Sequence, residues 1–259
     1  MTACNYILMD PTGNLTLLVD TPVSPALQPR AAARLMEREP AAEQVGFVSF
    51  SGGEVRLRMA GGEFCGNASM CAAALGLRQA GRNEGTITVH VAGAERPVPV
   101  TVSALPEGGW RGAVSMPPPL SLDTTALPDG QLLPVVRFPG IAHVILEDAP
   151  GRENAEVLAK QWCRALGTEA LGLMFLDRRA EALTPLVYVP GADTLFWERS
   201  CASGTAAVGA WLAREASGRI ARTLAQPGGA LRIEADPGGG LLLTGTVRIR
   251  RRGSAALDL

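Results

Sequence analysis

The same order of elements can be read twice along these 259 residues. An internal repeat narrows the choice of folds more than any other sequence feature, because each copy must form the same kind of unit. The first passage opens with the apolar stretch NLTLLVD (14–20) after a turn. A Pro-rich linker and a helix near 29–39 follow, then the strand VGFVSF (45–50). A Gly-Gly turn leads to EVRLRM (54–59), whose alternation marks a half-buried strand, and on past Gly61 and Gly62 to EFCGNASMCAAALGLRQAG. Two further strands, TITVHV and VPVTVSA, complete the passage. The second opens with AHVILED (142–148) after a Pro-Gly turn and continues through a helix near 152–166. Strands LGLMFLD (171–177) and PLVYVP (185–190) come next, then a turn at Gly191-Ala192-Asp193 and TLFWERSCASGTAAVGAWLAREASG. LRIEA and LLLTGTVRIR, separated by a Gly-rich turn at 238–240, close it.

The matching units are strand, cysteine, helix. Phe64-Cys65-Gly66-Asn67-Ala68 and Ser200-Cys201-Ala202-Ser203-Gly204 stand at equivalent points. Each leads into a helix of small residues, with Ala72, Ala73 and Ala74 in one and Ala206, Ala207, Gly209 and Ala210 in the other. Helices this poor in bulk can be closely surrounded by other elements. The expected fold class is therefore α+β, with two pseudo-symmetric halves, each a β-barrel-like sheet wrapped around a central helix. The halves are drawn at residues 1–117, with the final strand 245–259 as a candidate addition, and 118–244. A cleft between two such halves is a favoured place for a ligand and is the expected active site.

Composition closes off several other functions. A formal net charge of −1 gives no electrostatic reason to bind nucleic acid or an anionic membrane. The run Arg248, Arg250, Arg251, Arg252 reads as a solvated strand end. No apolar run approaches the ~20 residues that span a bilayer, and MTACNYILMD, with Asn5 and Asp10, lacks a leader's basic start. A cytoplasmic location follows, with a small molecule rather than a macromolecule as partner and a homodimer left open. Five cysteines, odd in number and irregular in spacing, suit a reducing compartment. With two histidines, and Cys65 and Cys71 at no zinc spacing, no metal site is expected. A pyridoxal-phosphate racemase needs a Schiff-base lysine; the single candidate, Lys160, lies in the helical stretch AEVLAKQWCRAL. No cofactor is expected.

Cysteines at these two points carry chemistry. A thiol just ahead of a helix meets unpaired N–H groups and the positive end of the dipole, which should lower its pKa. Racemisation at an α-carbon needs a base on one face and an acid on the other. Two thiols, one ionised, supply both, and exchanging their states reverses the reaction. The N–H groups of Gly66, Asn67, Ala68 and of Ala202, Ser203, Gly204 could form a nest around the enolate-like charge that develops. Cys4, Cys71 and Cys163 read instead as buried small hydrophobes, and His90 as structural.

These residues resemble the diaminopimelate epimerase-like superfamily, which includes proline racemases and the isomerase fold of phenazine biosynthesis. Cys65-Gly66-Asn67 is similar to its first cysteine motif, Glu198-Arg199…Cys201-Ala202-Ser203-Gly204 to its second, and Pro11-Thr12-Gly13-Asn14 to its N-terminal Gly-Asn motif. Within it, the chain is most similar to the histidine racemases of opine-metallophore (staphylopine-type) biosynthesis. That likeness rests on Met-Ala-Gly-Gly-Glu-Phe-Cys-Gly-Asn-Ala (59–68), Glu43-Gln44-Val45-Gly46-Phe47 and Pro185-Leu186-Val187-Tyr188-Val189-Pro190. It continues in Trp197 to Ala206 and in Gln226-Pro227-Gly228-Gly229. The second motif lacks the residues that diaminopimelate epimerases insert between Glu-Arg and the cysteine.

The resemblance implies a cofactor-independent amino-acid racemase with Cys65 and Cys201 as acid–base pair, supplying D-histidine for a metallophore. It also implies that Glu43 and Glu198 hold the α-ammonium or a basic side chain, with Asn14, Gln44, Asn67 and His143 near the substrate. His143 stands in Ile141-Ala142-His143, where epimerases carry Asn-Pro-His. Arg199 could clamp a second carboxylate, which keeps diaminopimelate epimerase, or another amino-acid racemase, as an alternative. An amino-acid-binding protein that has lost the chemistry is the remaining one.

Overall fold

The structure, a computed structural model, describes residues 2–147 and 151–259. The chain divides into two compact units, Met1–Ser115 with Thr244–Leu259, and Met116–Leu243.

The first unit opens with a strand the sequence pattern concealed, β1 (Thr2–Pro11). Cys4, Tyr6, Ile7, Leu8 and Met9 are all buried, so the alternation that marks a half-exposed strand is missing. After it come β2 (Thr16–Val19), α1 (Gln28–Arg38), β3 (Gln44–Ser51), β4 (Glu54–Met59) and α2 (Gly66–Gln79). β5 (Glu84–Val91), β6 (Val98–Ala104) and β7 (Trp110–Ser115) follow. The strands pair in the order β1 to β7. The C-terminal strand then joins β7 and also pairs antiparallel with β1, setting Cys4 opposite Ala255 and Asp10 opposite Arg248. Eight strands thus close into a ring.

The helix α2 touches every strand from β1 to β7, so it runs inside that ring. This is why it carries small residues round its whole circumference instead of one apolar stripe. A Cβ on Gly112 of β7 would stand 2.9 Å from Met70 of α2, and one on Gly76 of α2 would stand 2.6 Å from Val55. The other helix, α1, covers the outer face, where Ala31, Ala32 and Leu35 pack on Cys4, Tyr6, Leu8, Val45 and Phe47.

The second unit contains β8 (Ser121–Ala126), β9 (Leu132–Phe138), β10 (Ile141–Leu146), α3 (Arg152–Leu166), β11 (Ala170–Asp177) and β12 (Ala182–Val189). They are followed by β13 (Thr194–Trp197), α4 (Ala202–Glu215), β14 (Ile220–Gln226) and β15 (Gly229–Ala235). Its strands pair in the order β8-β9-β10-β11-β12-β14-β15, with β13 added on β12. The strand expected over 142–148 is β10; its last residue, 148, lies outside the described residues. β7, β8, β9 and β14 were not legible as strands: β8 is half polar, and Pro134 within β9 reads against a strand interior. The last strand, β16 (Leu241–Leu257), gives Leu241–Leu243 to this unit and the remainder to the first. α4 packs on β9, β10, β11, β14 and β15. α3 buries Trp162 and Cys163 against Val144, Leu171, Leu173 and Leu186. No helix among the described residues is long and apolar enough to cross a membrane.

The tight seat of α4 yields a test. A methyl group on Gly209 would run into Ile233 Cγ1 and stand 3.2 Å from its Cγ2, and Ile233 is fully buried. Gly209→Ala should therefore destabilise the chain by about 1–3 kcal/mol through overpacking, read as a lower urea midpoint. An unchanged midpoint would mean that the helix can shift away from β15.

Candidate active site

In the first unit, a short turn and a helix start converge. Asp10, at the end of β1, accepts the Gly13 N–H (2.6 Å). Thr12 sits at φ 55°, an uncommon conformation for a β-branched residue. Its hydroxyl is held there by both the O and the N–H of Thr246 (3.2 and 3.0 Å). The turn thereby delivers Asn14 beside β3, where its Nδ2 donates to Glu43 Oε2 (2.8 Å). Gln44 Nε2 donates to Asn14 Oδ1 (2.6 Å) and to Thr16 Oγ1 (2.8 Å). Gln44 Oε1 in turn accepts the Cys65 thiol (3.3 Å). Glu43, Asn14, Gln44 and Cys65 thus form one connected chain.

Cys65 is the N-cap of α2. Its backbone is extended (φ −133°, ψ 114°) and its Sγ accepts the Ala68 N–H (3.4 Å). Its carbonyl takes the Ser69 N–H (2.9 Å) and the Ser69 hydroxyl (2.7 Å). Cys201 caps α4 with nearly the same geometry (φ −123°, ψ 112°), Sγ accepting the Gly204 N–H (3.4 Å). Its carbonyl takes the Thr205 N–H (3.0 Å) and hydroxyl (2.6 Å). Gln226, at the end of β14, accepts the Cys201 N–H (2.9 Å) and donates to the Thr205 hydroxyl (2.8 Å). The Ser203 hydroxyl lies 3.6 Å from Cys201 Sγ.

The two thiols differ in their surroundings. Cys65 is half-buried, whereas Cys201 is 5% exposed. Burial pushes the Cys201 thiol well above its ordinary pKa, and the charge and hydrogen bond of Glu198 push it further. The Ser203 hydroxyl and the Gly204 N–H oppose this without winning. The helix-end argument from sequence is therefore outweighed at Cys201: desolvation of a thiolate costs more than one helix terminus returns. Burial likewise raises Cys4, Cys71 and Cys163, which sit in the core as small apolar groups.

Of the expected site residues, Asn14, Glu43, Gln44 and Cys65 come together in the first unit, with Gly66, Asn67 and Ala68 on the first turn of α2. In the second unit Glu198 reaches Cys201, and Ala202, Ser203 and Gly204 form the first turn of α4. The amides of Ala68 and Gly204 are already committed to the capping sulfurs. An anion is therefore left with those of Gly66 and Asn67, or of Ala202 and Ser203. Asn67 is 2% exposed, and among the described residues its Oδ1 has no hydrogen-bond partner. Arg199 is exposed, with its carbonyl tied to the Gly228 N–H (2.7 Å).

His143 lies on β10 of the second unit. It is fully buried, edge-on to Phe138, and neither ring nitrogen has a hydrogen-bond partner among the described residues. Met174 neighbours both it and the cap: a Cβ on Gly172 would meet both His143 and Met174, and one on Gly204 would meet both Met174 and Cys201. Sequence reasoning missed Thr16, Ser69, Thr205 and Gln226. A signal for two of them was present, since a hydroxyl residue stands four places after the cysteine in both motifs.

A family model described as histidine racemase CntK N-terminal domain matches residues 3–255. The chain belongs to the histidine racemase family. That makes it an isomerase of the amino-acid racemase class. A histidine racemase of Fusobacterium nucleatum subsp. nucleatum is 33% identical over 219 residues, 80% of this chain and 81% of that one. A histidine racemase of Staphylococcus aureus is 28% identical over 239 residues, 86% and 85% of the two chains. The solved structure of a probable proline racemase from Agrobacterium radiobacter K84 superposes with a TM-score of 0.74 at 15% identity, over 98% of this chain and 93% of that one. At that identity the likeness shows the fold alone: mixed α+β built on a closed barrel.

Proposed function

We propose that the chain interconverts L- and D-histidine, one of Cys65 and Cys201 taking the α-proton and the other returning one. The observation that carries this reading is that the two thiols occupy the same local geometry. Each is an extended N-cap residue whose sulfur accepts the N–H three places on and whose carbonyl is clamped by a hydroxyl four places on. Structural free cysteines have no reason to share so specific a setting. The scheme treats the two units as repeats of one device and requires both sulfurs to reach the same α-carbon.

In this scheme the substrate carboxylate, which gains enolate character as the proton leaves, is held by first-turn amides. Glu43 and Glu198 receive the α-ammonium and the imidazole, and Asn67 Oδ1, without a partner among the described residues, accepts a further N–H. In the reacting complex one sulfur is a thiolate and the other a thiol. Binding of a cationic substrate beside Glu198 would remove one of the influences that hold Cys201 protonated. We further assign the D-histidine to metallophore assembly, on the resemblance of Glu43-Gln44 and the two cysteine motifs to the opine-metallophore racemases.

Incubation in D₂O with a panel of single L- and D-amino acids tests the reading, because solvent deuterium enters the α-position only of a true substrate. Exchange with both enantiomers of histidine is expected, with none at proline. Exchange confined to diaminopimelate would replace histidine by a substrate whose second carboxylate pairs with Arg199. Tight binding of an amino acid without any exchange would reduce the protein to a binder.

A further inference from the structure

The hydrogen bonds around Cys65 have a direction, and it is set from one end. A carboxylate can only accept. Asn14 therefore turns Nδ2 toward Glu43 Oε2, which leaves its Oδ1 to accept from Gln44 Nε2. The second Nε2 proton goes to Thr16 Oγ1. That hydroxyl spends its own proton on the Asn14 carbonyl (3.1 Å), so it too can only accept. With both amide protons committed, Gln44 presents Oε1 to Cys65. A thiol can donate to that oxygen; a thiolate would be repelled by it.

We propose that Glu43, Asn14 and Gln44 form a one-way hydrogen-bond relay that keeps the proton on Cys65, making it the acid of the unliganded chain. The inference rests on the reading of Cys65 as one of the two acid–base residues, and it assigns Gln44 and Asn14 as positioning residues. When Cys65 gives its proton to the substrate carbanion, the electron pair of the S–H bond stays on sulfur and the proton forms the new Cα–H bond. The thiolate is then best served by Gln44 turning Nε2 toward it. That rotation requires Asn14 to present Nδ2 to Gln44 and Oδ1 to Glu43. Two acceptors would then face each other unless a cation stands between them. The substrate's own ammonium or imidazolium, seated at Glu43, is such a cation, so the relay would let Cys65 release its proton only when substrate is in place.

The test reads Cys65 alone and needs no turnover. In a Cys201→Ser chain, alkylation of Cys65 by iodoacetamide is followed against pH by mass spectrometry of its peptide. Gln44→Met removes the acceptor of the thiol and should lower the pH midpoint by about one unit, the worth of one hydrogen bond. Asn14→Leu leaves the charge of Glu43 in place but cuts the relay, and should lower the midpoint in the same direction. Circular dichroism checks the fold. If Asn14→Leu is not native, Thr16→Val, which is isosteric and removes one of the two acceptors that lock Nε2, takes its place. A midpoint at or above the parent's in either folded variant overturns the relay, as would be seen if Glu43 acted through its charge alone. Absence of deuterium exchange in the unmodified chain would sink the racemase reading, yet leave these midpoints to be judged separately.

Discussion

Replacing Cys65 by serine should lower histidine racemisation by roughly 10²–10⁴-fold, the usual worth of one general acid or base, without loss of fold; Cys201→Ser should do the same. A serine hydroxyl is far too weak an acid to take either role near neutral pH. It is, however, among the best helix N-caps, and both sulfurs already accept a first-turn N–H. Substitution therefore removes the chemistry and preserves the cap. Polarimetry gives the rate and a melting curve gives the control. Undiminished turnover in either variant, with the melting temperature intact, would defeat the two-thiol scheme. A collapse of the fold would instead show that the sulfur's packing matters more than its acidity.

The acid limb of stability should be governed in part by His143. Burial holds its pKa down from 6.5 to about 3, so in the folded chain it stays neutral where an unfolded chain already binds a proton. As pH falls from about 6.5 toward 3, the unfolded state gains that proton first, and stability drops by about 1.4 kcal/mol per pH unit, up to about 5 kcal/mol in all. The contribution is fully present above pH 6.5. His143→Leu matches the apolar surroundings and removes two nitrogens that have no partner among the described residues. The variant should be at least as stable at pH 7 and distinctly more stable than the parent at pH 4, by urea unfolding at both values. Parallel loss of stability in the two chains between pH 7 and 4 would mean that His143 finds a partner on protonation.

The parts of this molecule that were legible in its sequence are those with local causes. EVRLRM alternates, and β4 begins and ends with it. The helices α1 and α3 carry one apolar face and lie within a residue of where the periodicity put them. The two cysteine motifs precede runs of small residues, and those runs are buried helices. What was not legible has non-local causes. β1 is covered on both faces by α1 and α2, which erases its alternation. Gln226 reaches Cys201 from the far end of β14, a proximity no spacing encodes. The elevated pKa of Cys201 could not be inferred because helix termini are visible in a sequence and desolvation is not. That His143, marked by resemblance, is fully buried was likewise not visible in the sequence.

The ring of the first unit is built from two stretches of chain separated by the whole of the second, with Thr2 opposite Leu257. On the ribosome this inverts the usual N-terminal-first order of assembly. Residues 116–243 emerge complete while β1 still waits for its partner. Until residues 247–257 appear, β1 and β7 are open edges able to recruit strands from neighbouring nascent chains. High-level expression should therefore favour inclusion bodies at elevated temperature, and a circular permutant that begins at residue 244 would make the ring a single uninterrupted product of translation.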